Sequence, residues 1–155
     1  MRLLVCGGRD YRDQRHIDDV LNRIHAKRPI TRLIHGDAAG ADTCGASWGR
    51  RNIGADRVDP YPADWTDTSH PGAVIRWRNG KAYDAKAGHR RNARMLMLGC
   101  PDLVLAFPGG AGTGNMIGLA RRAGVEVHLD IVAMDGEFDG DRRLSASPAT
   151  TEDRT

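Results

Sequence analysis

The chain has 155 residues, 23 of them Lys or Arg and 20 Asp or Glu, giving a formal net charge of +3. That length suits one domain with a proper core and is too short to expect two. No apolar stretch approaches a membrane span and no signal-type apolar run opens the sequence, so a cytoplasmic protein without a membrane partner is expected.

The cysteines, Cys6, Cys44 and Cys100, are odd in number and have no CxxC pair, which argues against a disulfide framework or a zinc site. The histidines are scattered without i, i+4 pairing, so no metal site is expected. The cations are nearly all arginine, with lysine only at Lys27, Lys81 and Lys86. Arginine suits bidentate phosphate binding, and it equally follows from a genomic composition bias.

In chain order, "RLLVC" at 2–6 is a short apolar run stopped by Gly7-Gly8, a buried strand ending in a loop. Ile17, Val20, Leu21 and Ile24 then fall at i, i+3, i+4 and i+7, the stripe of an amphipathic helix with Asp13 as its cap. The pattern repeats: "TRLIH" runs into "GDAAGAD" and the helix-compatible "TCGASWGRRN", and "ADRVDPYP" is a third strand ended by prolines. Successive strand and helix units predict a parallel sheet covered on both faces.

Residues 66–87 break this rhythm. "VIRWRNGKAYDA" alternates apolar and basic residues around Asn79-Gly80, a strong hairpin signal, and predicts an inserted flap on the loop side of the sheet. Beyond it come a helix to about residue 99, a strand at 102–107, a glycine loop, a helix to Ala123 and a last strand "VEVHLD". The expected domain is therefore 1–132. The polar stretch 133–155, poor in apolar residues, is expected to be a disordered tail.

Ligands of such sheets bind at the carboxyl ends of the strands. Here three of those ends carry glycine or small-residue loops, "CGGRDY", "HGDAAGAD" and "FPGGAGT". The last is neither a dinucleotide fingerprint nor a Walker A loop, because Asn115 stands where the former needs glycine and the latter lysine. What remains is an anion cradle: Gly109, Gly110 and Gly112 permit close backbone approach, helix amides follow, and Thr113 adds a hydroxyl. A lone loop of this kind can equally be a tight strand-to-helix turn.

Taken together, "GGRDY", "HGDAAGAD", "YPADW", "AGHRRNARM" and "PDLVLAFPGGAGT", in this order, resemble the YspA, cpYpsA-related family of the SLOG superfamily. The resemblance runs to about residue 130. It implies a Rossmann-like three-layer α/β sandwich and the binding of a nucleotide or nucleotide-derived signal, with roles in stress or phage-conflict systems. No other cofactor is implied, and relatives commonly form homo-oligomers.

The same superfamily contains the LOG phosphoribohydrolases, whose motif reads PGGxGTxxE below a helix with an Arg-Lys pair. This chain is similar at Pro108, Gly109, Gly110, Gly112, Thr113 and Arg91, and departs at Asn92, which replaces the lysine, and at Met116, which replaces the glutamate. N-glycosidic cleavage needs a carboxylate to stabilise the developing positive charge or to position water, and a thioether does neither.

The ligand set read from these motifs is Gly7, Gly8, Arg9, Asp10, Gly36, Gly40, Asp42, Trp65, Arg91, Asn92, Pro108, Gly109, Gly110, Gly112 and Thr113. Asp42 and Arg91 are also the candidates for catalysis. Asp10, Asp42 and Asp64 are expected to face one cleft. Asp42 reads either as a ribose-hydroxyl acceptor or as an ordinary helix cap. Trp65, Trp77 and Tyr83 are candidate base platforms, a Trp after a strand also being a common core residue. His35 reads as buried and hydrogen-bonded, and no role transfers to His89. The readings, in order, are a nucleotide-binding protein, a nucleotide N-glycosidase, and a single-stranded nucleic-acid binder like DprA, the last weakened by the modest charge.

Overall fold

The computed structural model describes residues 1–130, so the stretch 133–155 expected to be disordered lies outside the described residues. Strands β1 (Arg2–Cys6), β2 (Arg32–His35), β3 (Val58–Pro60), β6 (Leu103–Ala106) and β7 (Glu126–Leu129) form one sheet in the order β3-β2-β1-β6-β7. All of its pairings are parallel. Helices α1 (Gln14–Lys27), α2 (Ala41–Asn52), α3 (Ala87–Gly99) and α4 (Ala111–Arg122) connect these strands. The short hairpin β4 (Ile75–Arg78) and β5 (Lys81–Asp84) stands apart as an antiparallel pair.

The period-two pleat divides the core into two halves. Leu3, Val5, Leu33 and Leu105 meet Ile17, Val20 and Leu21 of α1 and Trp48 of α2 on one face. On the other face Leu4, Cys6, Ile34, Val104 and Ala106 meet Met95 of α3 and Met116 and Ala120 of α4. Each fully buried Leu, Ile or Val contributes roughly 1.5–3 kcal/mol, in keeping with the apolar residues on both faces of Leu3–Cys6 and of β6. The helix α1 begins as its sequence predicts, with the Asp13 carboxylate accepting from the His16 amide at 2.9 Å.

The chain winds outward through β2 and β3 on one side of β1, then returns to the other side through β6 and β7. The order reverses between β1 and β6, and at that switch point their outgoing loops diverge and leave a crevice. No helix of the described residues is long and apolar enough to cross a membrane.

The inserted hairpin turns at Asn79 and Gly80, both with positive φ (50° and 72°), as a two-residue turn requires. Its base is clipped to α3 by Asp84. That side chain is fully buried and accepts from the Val74 and Lys86 amides at 2.8 and 2.9 Å, and it pairs with Arg90. These bonds hold the Asp84 carboxyl below its ordinary pKa although burial opposes them.

Candidate functional site

A cleft of about 340 Å³ opens at the carboxyl ends of β1 and β6. Its walls come from the loop after β1, the start of α2, the N-terminal turns of α3 and α4, and Trp65. Of the residues expected at a ligand, Gly7, Gly8, Arg9, Asp42, Trp65, Arg91, Asn92, Gly110, Gly112 and Thr113 border it.

The glycines at the cleft fall into two kinds. A Cβ on Gly7 would lie 2.6 Å from that of Ala41, and one on Gly109 would lie 2.7 Å from the Gly8 amide and collide with Thr113. At Gly40, φ is +83° and a Cβ would strike the Gly8 and Arg9 carbonyls. These positions are glycine because the loops approach too closely for a Cβ, backbone against backbone at Gly40 and Gly109, and the Gly8 amide bonds the Pro108 carbonyl at 2.8 Å. Gly110 and Gly112 are different: a Cβ there meets nothing within 4 Å. Both face the open cleft at the start of α4, whose first turn holds no acidic residue and whose cap, Gly110, makes no side-chain bond to it. The first amides of that helix have no intrahelical partner, and an anion is their natural complement.

Arg91 lies opposite. It is half-buried, its Nη1 donates to the Gly36 carbonyl, and its Nε donates to Asn92 Oδ1 at 3.0 Å. Among the described residues no protein acceptor takes Nη2. Asn92 in turn donates through Nδ2 to the Gly112 carbonyl and to Asn115 Oδ1, both at 3.0 Å. The buried Asn92 thus ties Arg91 to the start of α4. Met116 is fully buried in the core beneath α4, so this position puts neither a carboxylate nor a thioether into the cleft.

Asp42 is the carboxylate of the cleft. It sits in the first turn of α2, 5 % exposed, and accepts from the Gly36 amide at 2.8 Å and the Ala38 amide at 3.4 Å. It therefore braces the loop before its helix and does not cap the helix, whose N-cap is Gly40. Burial raises its pKa to about 6, with Arg91 and the two amides pulling the other way. Cys6 on the floor is a poor nucleophile, because burial and the nearby Asp42 push its thiol up to about 12.

Trp65 closes one end. Its ring lies over Gly88, where a Cβ would come within 3.1 Å, and the Arg9 guanidinium stands 5.5 Å from its centroid.

Gly36, Gly40, Pro108 and Gly109 stand behind the cleft wall, as supports and not as lining. Asp10 is exposed and borders no part of the cleft, and Asp64 turns back to accept from Thr66 and Asp67. The three aspartates are therefore not brought together, because only Asp42 is held in a helix, in the first turn of α2. His35 is buried and accepts from the Asp37 amide through Nδ1, and burial holds its pKa down. Trp77 is 73 % exposed, away from the cleft. The lining residues missed from the sequence are Cys6, Ala38, Ala85, Gly88, His89 and Met95. For Cys6 the signal was there, since strand alternation puts it on the α3 face next to Leu4.

Residues 1–67 match the model of YAcAr, the YspA, cpYpsA-related SLOG family. That segment is similar to the SLOG family. It carries β1, α1, β2, α2 and β3, and with them the Gly7, Gly36 and Asp42 loops and Trp65. The remaining wall of the cleft, from α3 and the PGGAGT loop, lies beyond the matched residues. No curated protein matches the chain. Among the described residues no group of His, Cys, Asp and Glu could hold a metal ion.

Proposed function

We propose that the cleft binds a nucleotide or nucleotide-derived ligand, with its phosphate on the N-terminus of α4. The observation that carries this reading is the uncapped first turn of α4, opened by Gly110 and Gly112 and faced by Arg91. Backbone amides and a guanidinium converge there, and no carboxylate of the same helix turn competes with an anion. At the other side Asp42 offers an acceptor to a sugar hydroxyl, and Trp65 offers a flat face to a base. The SLOG match supports a nucleotide-related ligand, and a sensing role would follow from binding without turnover.

Thermal shift against nucleoside monophosphates, ADP-ribose, cyclic nucleotides and inorganic phosphate tests this reading. The expected result is stabilisation by at least one nucleotide, lost in Arg91→Ala. An unchanged melting temperature with every compound would overturn it.

A second reading, N-glycosidic hydrolysis, rests on Asp42, whose pKa of about 6 leaves it ionised at neutral pH inside the cleft. Free base released from a nucleoside monophosphate, and abolished in Asp42→Asn, would establish it. Binding alone is preferred because the LOG glutamate position is a core methionine.

A further inference from the structure

A second, open groove of about 670 Å³ adjoins the cleft and shares Arg9, Trp65 and Ala85 with it. Its outer wall is one face of the hairpin. In the β4-β5 register Arg76 stands opposite Tyr83 and Arg78 opposite Lys81, so strand alternation puts these four side chains on the same side. Arg76, Arg78 and Lys81 are exposed, and with Arg9 they make no hydrogen bond or ion pair to an acceptor among the described residues. The contrast within the hairpin is informative. Its one buried acid, Asp84, lies on the opposite face and is consumed by Arg90. A cationic face of this kind, bordered by Trp65 and Tyr83 and continuous with an anion-binding cleft, has an uncompensated preference for negative charge.

Its size limits what it suits. Arg76 and Arg78 are two residues apart, about 7 Å along a strand, and the strand pair ends at the Asn79-Gly80 turn. That span fits one or two phosphates and is too short to form a track. The groove begins at Trp65, beyond the cleft as entered from the glycine loop, so its charge falls on the far side of whatever stacks there.

Resting on the nucleotide reading above, we propose that the ligand carries a second phosphoryl group across the nucleoside from the first, seated among Arg76, Arg78 and Lys81. The class comprises nucleoside 3′,5′-bisphosphates and linear dinucleotides. Both present one phosphate to the α4 amides and another to the hairpin.

Calorimetric titration decides this with the base that the monophosphate panel selects. The probes are the 5′-monophosphate, the 3′,5′-bisphosphate, the 5′-phosphorylated dinucleotide and a 20-mer single strand. They are titrated into the full chain and into its Arg76→Ala/Arg78→Ala/Lys81→Ala variant. The expected result is that the bisphosphate or the dinucleotide binds about tenfold or more tightly than the monophosphate at low salt. In the triple variant that gain disappears and the monophosphate affinity is unchanged. Whichever of the two gains more identifies the source of the second phosphate. A gain that survives the triple substitution, or no gain over the monophosphate, overturns the proposal and leaves the nucleotide reading standing. If the 20-mer binds Arg91→Ala as tightly as it binds the parent chain, and more tightly than the dinucleotide does, the hairpin is a nucleic-acid surface and the proposal fails. If no monophosphate and no other nucleotide of the thermal-shift panel binds, the nucleotide reading itself falls.

Discussion

The corners after β2 and after β6 are built from the same parts, a strand, a glycine-rich loop and a helix start, yet they present opposite chemistry to one cleft. At the first, α2 carries Asp42, and the loop amides of Gly36 and Ala38 are already taken by that carboxylate. At the second, α4 has no acidic first-turn residue, and Gly110 and Gly112 leave its amides open. One corner carries a built-in anion, and the other presents helix amides that suit one. On the proposed reading, a ligand held between them would turn its phosphate toward α4 and a donor such as a hydroxyl toward α2. Arg91, bonded to the Gly36 carbonyl and through Asn92 to the Gly112 carbonyl, is the strut between the two.

Disrupting the support beneath both corners should have the largest effect. Gly40→Ala places a Cβ against the Gly8 and Arg9 carbonyls at a positive φ, and a loss of about 3 kcal/mol or more in urea unfolding is expected. Gly109→Ala should approach it, because the colliding Gly8 amide is backbone and cannot swing away. The neighbouring Gly110→Ala meets nothing, so its stability should change by no more than about 1 kcal/mol while phosphate-ligand affinity falls. Opposite outcomes at adjacent glycines would separate the wall from the cradle. Equal outcomes would erase the distinction.

Removing the strut comes next. Arg91→Ala should weaken a phosphorylated ligand by about 1.5–3 kcal/mol, roughly tenfold to a hundredfold, measured by calorimetry. Asn92→Ala should lower both affinity and stability, since it frees Arg91 Nε and the Gly112 carbonyl together.

The anionic corner can be sharpened by pH. Asp42 has a folded-state pKa raised to about 6 from an unfolded value of 3.8, so the folded state holds its proton more tightly. Its contribution favours folding below about pH 4, is lost as pH rises to about 6, and stays absent above that. Asp42→Asn should remove this slope and raise stability at pH 8 by about 1–3 kcal/mol. A ligand hydroxyl should bind it more weakly. Chemical denaturation at pH 4, 6 and 8 checks the sign, and an unchanged slope in the variant would show that Asp42 is not the group responsible.

Much of this architecture was legible in the sequence. The apolar stripe of α1, the run "RLLVC" and the Asn79-Gly80 turn each carry their periodicity or turn chemistry locally, and local chemistry survives in any context. The ordered motifs also located the cleft-forming loops. Three things were not legible. Glycine composition did not tell Gly109 from Gly110, because the difference is whether another loop's backbone lies against the α-carbon. The three aspartates were expected to face one cleft, but the loop geometry turns the exposed Asp64 back on the Thr66 and Asp67 amides and leaves Asp10 in solvent. Asn92 read as a lost lysine, and its bond to the Gly112 carbonyl exists only because α3 and α4 pack side by side.

The sequence by itself determined the order of strands and helices and which loops could hold an anion, since both follow from hydrophobic period and from the freedom of glycine. Only the tertiary structure decided which glycines are walls and which are openings, that Asp42 is buried and raised in pKa, and that Arg76, Arg78 and Lys81 stand beside Trp65. Those properties depend on the distance between segments far apart in the chain, and burial and electrostatics are set by that distance.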